Sequence, residues 1–163
     1  TEFEGLRVLL AEDNDLNAEI ACELLAEAGL VVERAGDGAE ACVMFEASKI
    51  GYFDAVLMDV QMPNMNGYEA TRCIRELDRE DADAVPIIAM SANAFAEDVS
   101  ASLASGMNAH LSKPIDMRRV LAAFREEFFR TESAMKDKGV GWPPDGTCRV
   151  REGTTRCAAR EVY

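Results

Sequence analysis

Three acids, a serine and a lysine stand where short apolar runs end. Glu12 and Asp13 follow "LRVLLA", Asp59 closes "DAVLMD", Ser91 closes "VPIIAMS" and Lys113 follows "AHLS". Any one of them reads as an ordinary exposed polar residue. Five of them, ending four separate runs, do not. Three carboxylates in one small volume repel each other, and without a cation at least one resists ionisation. A hard divalent cation answers this, and magnesium typically takes one or two protein carboxylates while keeping several waters. Lys113 adds positive charge and Ser91 a hydroxyl. Such a set suits a phosphoryl group, whose transfer asks for positioning and charge neutralisation more than covalent help. A carboxylate can itself be the nucleophile, giving an aspartyl phosphate. Asp59 is the best placed of the three acids: it ends the most apolar run, and the tight turn after it can aim backbone groups at the site.

The elements that must position these residues repeat five times. Each apolar run is followed by a stretch with helical spacing: Leu16, Ile20 and Leu24 after the first, Ala39, Val43 and Ala47 after "LVVERA", Ala70, Ile74 and Leu77 after the third, Phe95, Val99 and Leu103 after the fourth, and Val120, Leu121, Phe124 and Phe128 after the fifth. Gly29 and Gly106 stop two of these helices. Strand–helix alternation of this length means right-handed crossovers and a parallel sheet covered on both faces. Five units suit an open, doubly wound α/β sheet better than an eight-unit barrel. In such a sheet ligands bind beyond the carboxyl ends of the strands, where the five polar residues lie, on neighbouring strands about 5 Å apart.

The 163 residues carry a net charge of −13. Residues 1–130 hold 11 basic and 25 acidic side chains, residues 131–163 six and five. The acidity belongs to the first part, which argues against direct nucleic-acid binding. The break near Arg130 predicts a domain over 1–130 and a Gly- and Pro-punctuated extension over 131–163 that packs poorly. The uncharged runs Ala84–Ala96 and Val99–Ser112 fall short of the ~20 apolar residues that a membrane span needs. Five cysteines, Cys22, Cys42, Cys73, Cys148 and Cys157, match no zinc spacing and no even disulfide framework, so reduced thiols and a cytoplasmic setting are expected. The first residue is Thr1, as in a piece excised from a longer protein.

The wording of four segments, "LLAEDN", "VLMDVQMPNMNG", "IIAMSANAF" and "GMNAHLSKPID", resembles the motifs of the response-regulator receiver family, in the right order across residues 5–128. It is most similar to receivers attached to hybrid sensor histidine kinases. The resemblance implies a flavodoxin-like fold of strand order 2-1-3-4-5 with five helices. It implies a phosphorelay module in which Asp59 takes a phosphoryl group from phosphohistidine with Mg2+ and the domain then switches conformation. Asp13 and Asp59 match direct metal ligands, the backbone carbonyl of Gln61 the third, and Glu12 a ligand acting through water. Ser91 matches the hydroxyl residue that follows the phosphoryl group, Lys113 the motif lysine, and the Lys113–Pro114 bond is cis in the family. The switch position, often Tyr or Phe, is His110, either a packed switch residue or a free surface one; a pH-sensing role is the minor reading of it. The implied partner is a histidine kinase or histidine phosphotransfer domain, docking on a rim formed by Asn14, Leu16, Asn17, Pro114 and Ile115.

Two other readings compete. A magnesium-dependent phosphohydrolase with an aspartyl nucleophile would carry a second acid two residues later; Gln61 stands there, and no capping insertion is visible. A receiver-like scaffold that is never phosphorylated would not need the full acid–serine–lysine set. A self-catalysed phosphoacceptor, rather than an enzyme, fits best.

Overall fold

The computed structural model describes residues 3–92, 96–137, 147–150 and 153–156. Ten elements alternate: β1 (Arg7–Ala11), α1 (Asp15–Glu27), β2 (Val31–Ala35), α2 (Gly38–Ala47), β3 (Ala55–Asp59), α3 (Gly67–Arg75), β4 (Ile87–Ser91), α4 (Ala96–Ala104), β5 (Ala109–Ser112) and α5 (Met117–Asp137). The five strands form one parallel sheet in the order β2-β1-β3-β4-β5. This is the doubly wound flavodoxin-like arrangement. Beyond it, β6 (Thr147–Val150) and β7 (Gly153–Arg156) pair antiparallel. The backbone of α5 continues past Arg130, where the composition breaks, to Asp137.

Period-two alternation divides the strand side chains between two cores. Val8 and Leu10 of β1, Ala55 and Leu57 of β3, and Ile88 and Met90 of β4 pack with Ala21 and Leu25 of α1 and Val120 and Phe124 of α5. Leu9, Val56, Met58, Ile87 and Ala89 pack with Ala41 and Phe45 of α2 and Ala70 and Ile74 of α3. Every residue of β3 and β4 is buried. That is why those segments read as unbroken apolar runs.

Helix faces are where sequence spacing misleads. Helix α1 exists, but Leu16 and Ile20 are exposed, and the helix meets the sheet through Ala18, Ala21 and Leu25. Val43 is likewise exposed while Ala41, Cys42 and Phe45 face inward. Leu103 of α4 is exposed too, and Phe95 lies outside the described residues. The physical reason is close approach: alanines let a helix axis settle near the sheet, and larger apolar residues on its shoulder stay in water. Cys22, Cys42 and Cys73 are free thiols; Cys157 lies outside the described residues.

Side-chain caps begin the helices on the carboxyl-end side of the sheet. Asn14 accepts from Asn17 N at 2.9 Å, Asp37 from Glu40 N at 2.8 Å and Asn66 from Glu69 N at 2.9 Å. Each cap satisfies an orphan amide and is worth about 1 kcal/mol. The third cap fixes the loop after Asp59. Gly67 N donates to Val60 O at 3.0 Å, and a Cβ on Gly67 would overlap the carbonyl oxygen of Asp59. Only glycine lets α3 start this close to the strand end. Gly67→Ala is therefore expected to destabilise the domain by about 1–3 kcal/mol, with displaced amide resonances at Asp59 and Val60. Urea unfolding and an amide spectrum check this; wild-type stability with unmoved resonances would show that the contact is not tight.

Candidate functional site

The sheet register assembles the site. β1 and β3 pair Ala11 with Met58, so Glu12 comes level with Asp59. β3 and β4 pair Asp59 with Met90, so Ser91 lies one residue further along the adjacent strand. β4 and β5 pair Ser91 with Ser112, and Lys113 N donates to Ser91 O at 2.7 Å. The Lys113–Pro114 bond is cis.

At the centre, the Lys113 ammonium donates to Glu12 Oε2 at 2.7 Å and to Asp59 Oδ2 at 3.0 Å. The Glu12 side chain is only 2% exposed and that of Asp59 6%. Burial pulls the lysine down, but its hydrogen bonds to Glu12 and Asp59 outweigh this and hold it above the ordinary lysine value. Its folded value is raised, so its contribution to stability is complete below the unfolded lysine value and is lost only as pH climbs through the folded one, in the alkaline range. The second oxygens of both acids are also held: Asn14 N donates to Glu12 Oε1 at 3.2 Å and Gln61 N to Asp59 Oδ1 at 3.3 Å.

Carboxylate oxygens of Glu12, Asp13 and Asp59 all lie within 4.8 Å of one another, with Asp13 exposed and the other two buried. An all-oxygen set of this kind fits a hard divalent cation, with the open side at Asp13 left for water. The three acids and Lys113 that the sequence singles out are thus together. Ser91 faces a different neighbour: its Oγ is 2.7 Å from His110 Nε2. His110 is half-buried and bonded, not a free surface histidine. The Gln61 side chain is exposed, and an open cleft of about 460 Å³ runs between Asp13 and the Val60–Pro63 loop, reaching Asn66 and Tyr68.

The rim has a mixed character. Asn14, Leu16, Asn17 and Pro114 are exposed, Leu16 to 64%. Ile115 is half-buried and packs against the core beneath α5.

Two residues that matter here escape a sequence reading. Arg34, near the end of β2, donates to the backbone oxygen of Glu12 through Nε and Nη2 at 3.2 and 3.0 Å, reaches Asp13 O at 3.4 Å, and pairs with Asp15 at 2.8 Å. It clamps the acidic turn from the neighbouring strand. Its one advance signal is a charge near the end of a strand adjacent to that turn. Ser102, buried on α4, lies 2.9 Å from His110 Nδ1; its signal is a spacing of three from Val99, which places both on one helix face.

Magnesium is expected to raise the melting temperature of the protein. A ligand that binds only the folded state adds RT ln(1 + [L]/Kd), about 2.7 kcal/mol at a hundredfold excess. Asp13→Asn, at an exposed position, should abolish this rise without unfolding the protein. Thermal scans with and without magnesium decide it; a wild-type melt indifferent to the ion rules out the metal site.

Comparison with known proteins places this geometry in a family. The family model described as the response regulator receiver domain matches residues 8–125. The "Probable histidine kinase 2" of Oryza sativa subsp. indica is 39% identical over 132 residues, 74% of this chain but 13% of that protein. This chain therefore spans a small part of the length of such relatives. Among solved structures, the receiver domain of sensor histidine kinase PA1611 from Pseudomonas aeruginosa PAO1, with a magnesium ion coordinated in its active-site cleft, is 35% identical with a TM-score of 0.68, covering 77% of this chain and 98% of that one. The Saccharomyces cerevisiae Ssk1 receiver, co-crystallised with the histidine phosphotransfer protein Ypd1, is similar at 25% identity and a TM-score of 0.67, covering 83% and 94%.

Proposed function

The chain belongs to the response regulator receiver domain family of two-component and phosphorelay signalling, and from that premise we propose that Asp59 is its phosphoacceptor. The observation that carries this reading is the bridging lysine: one ammonium holds Asp59 and Glu12 together at 3.0 and 2.7 Å, with Asp13 close enough to complete an oxygen cluster. That family is one of signalling modules rather than of catalytic enzymes.

A phosphohistidine presents phosphorus in line with Asp59. A carboxylate oxygen of Asp59 forms the new O–P bond as the P–N bond to the imidazole breaks, and the leaving nitrogen takes a proton. Lys113 neutralises charge gathering on the phosphoryl oxygens, and Ser91 supplies a hydroxyl donor to them. Asp13 and Asp59, with the Gln61 carbonyl and with Glu12 through water, would hold Mg2+, which when bound supplies further positive charge to those oxygens. Gln61 N fixes the orientation of the Asp59 carboxylate. Transfer is self-catalysed: the chain supplies nucleophile and charge, and the donor supplies the leaving group.

The partner is a histidine kinase or histidine phosphotransfer domain. Its phosphohistidine has to reach Asp59, so it must cover the rim at Asn14, Leu16, Asn17, Pro114 and Ile115. Exposed Leu16 is the apolar anchor that favours this face. Among the described residues no helix is long and apolar enough to cross a membrane, and we place the module on the cytoplasmic side. Residues 1–130 form the receiver unit in this reading and 131–163 its extension. Acetyl phosphate with magnesium should add one phosphate mass, labile to base and hydroxylamine as an acyl phosphate must be. An unchanged mass would overturn the phosphoacceptor reading, and a base-stable adduct would move it away from a carboxylate.

A further inference from the structure

Arg34 is a cation beside the site that the phosphoryl chemistry leaves unused. It stands on β2, an edge strand of the sheet, level with Leu10 of β1. Its guanidinium reaches past β1 to the acidic turn. Nε donates to Glu12 O at 3.2 Å, and Nη2 to Glu12 O at 3.0 Å and to Asp13 O at 3.4 Å. Nη1 pairs with Asp15 Oδ1 at 2.8 Å, in the first turn of α1. Arg34 keeps 33% exposure and Asp15 94%, so that ion pair stands in water and is worth little. The bonds to the two carbonyls carry the argument.

Those carbonyls belong to the peptide groups on either side of the Asp13 Cα. A peptide group is planar, so holding its oxygen fixes the whole unit. Holding both units fixes the two backbone torsions of Asp13, and with them the direction of its Cβ. Glu12 N also donates to Ala35 O at 3.1 Å, so β2 grips the turn at three successive points. The Asp13 side chain needs such a grip. Glu12 and Asp59 are buried and aimed by packing, whereas Asp13 is exposed, yet its carboxylate lies with theirs in one oxygen cluster.

We propose that Arg34 is a positioning residue for the cation site: by holding the two peptide groups that flank Asp13, it aims that carboxylate at Glu12 and Asp59. This rests on the acid cluster being the metal site that serves Asp59. Charge and geometry give the arginine opposite effects there. A guanidinium beside a cation site repels the cation, so by charge alone its removal would tighten binding. As an aiming device it favours the cation, so its removal loosens binding. Exposure and the Asp15 partner screen the repulsion, while groups that orient a metal ligand are typically worth about 10- to 100-fold in affinity. Geometry therefore wins.

The test is a magnesium titration of the full chain, followed by the amide 1H–15N resonances of Asp13 and Gln61. Arg34→Ala should raise the magnesium Kd by about 10- to 100-fold. Arg34→Lys keeps the charge but lacks the planar fork that spans both carbonyls, and it should raise the Kd too. In the metal-free protein the Asp13 and Asn14 amides should move in both variants while those of β4 stay in place. A Kd unchanged or lowered in Arg34→Ala overturns the proposal. So does a wild-type Kd in Arg34→Lys, which would make charge alone sufficient; this second variant also decides the matter if Arg34→Ala does not fold. A purely structural arginine would lower the melting temperature of both variants and leave the Kd where it is. Wild-type amides that ignore magnesium would remove the metal site itself, and this proposal with it.

Discussion

Asp59→Asn will take up no phosphate from acetyl phosphate or from a phosphohistidine donor, and it will remain folded. The substitution exchanges one carboxylate oxygen for an amide nitrogen and keeps the shape that β3 buries. The amide is a poor nucleophile and carries no charge, so the O–P bond cannot form at this position. Stability should hold or rise, because one of three clustered acids is gone while Lys113 keeps its 2.7 Å bond to Glu12. Intact mass with circular dichroism measures both effects. A phosphate label that persists in this variant and maps to a serine or threonine would remove Asp59 from its assigned role.

Lys113→Ala will slow phosphoryl transfer by about 10²- to 10³-fold, the usual cost of removing one preorganised charge donor from a transition state. A second effect comes from the free protein. The Glu12 side chain is 2% exposed and that of Asp59 6%, and both lose their counter-charge. Breaking a fully buried pair costs ~3–5 kcal/mol; Lys113 keeps 22% exposure, so a loss on the order of 2 kcal/mol is expected without magnesium. Magnesium should recover part of that stability but little of the rate, since only the lysine reaches Asp59 from β5. Single-turnover transfer kinetics beside melts in both conditions separate the two effects. A variant that transfers at the wild-type rate would leave Lys113 as a structural counter-ion only.

What the sequence determined by itself was the order of elements and the chemistry at their ends. β3 and β4 are buried on both sides, so they had to be apolar up to their last residue, and an acid or hydroxyl there, itself buried like Asp59 and Ser91, marks the carboxyl edge of the sheet. That logic is local, and it placed Glu12, Asp13, Asp59, Ser91 and Lys113 on the carboxyl edge of the sheet; strand order itself was carried by the motif resemblance. Helix faces were legible only in part. Spacing located α1, but Leu16 and Ile20 repeat at nearly the same period as Ala18, Ala21 and Leu25, and only the distance between helix and sheet decides which stripe is buried. The bonds that fix the site belong to the tertiary structure. Lys113 lies 101 residues from Glu12 in sequence and 2.7 Å away in space, Arg34 reaches the acidic turn from the next strand, and Ser102 meets His110 across the α4–β5 packing. None of these is a repeat or a motif. Each is a hydrogen bond whose two ends come from elements that pack together only after the sheet has set their register, and a hydrogen bond depends on distance and angle, which sequence spacing does not carry.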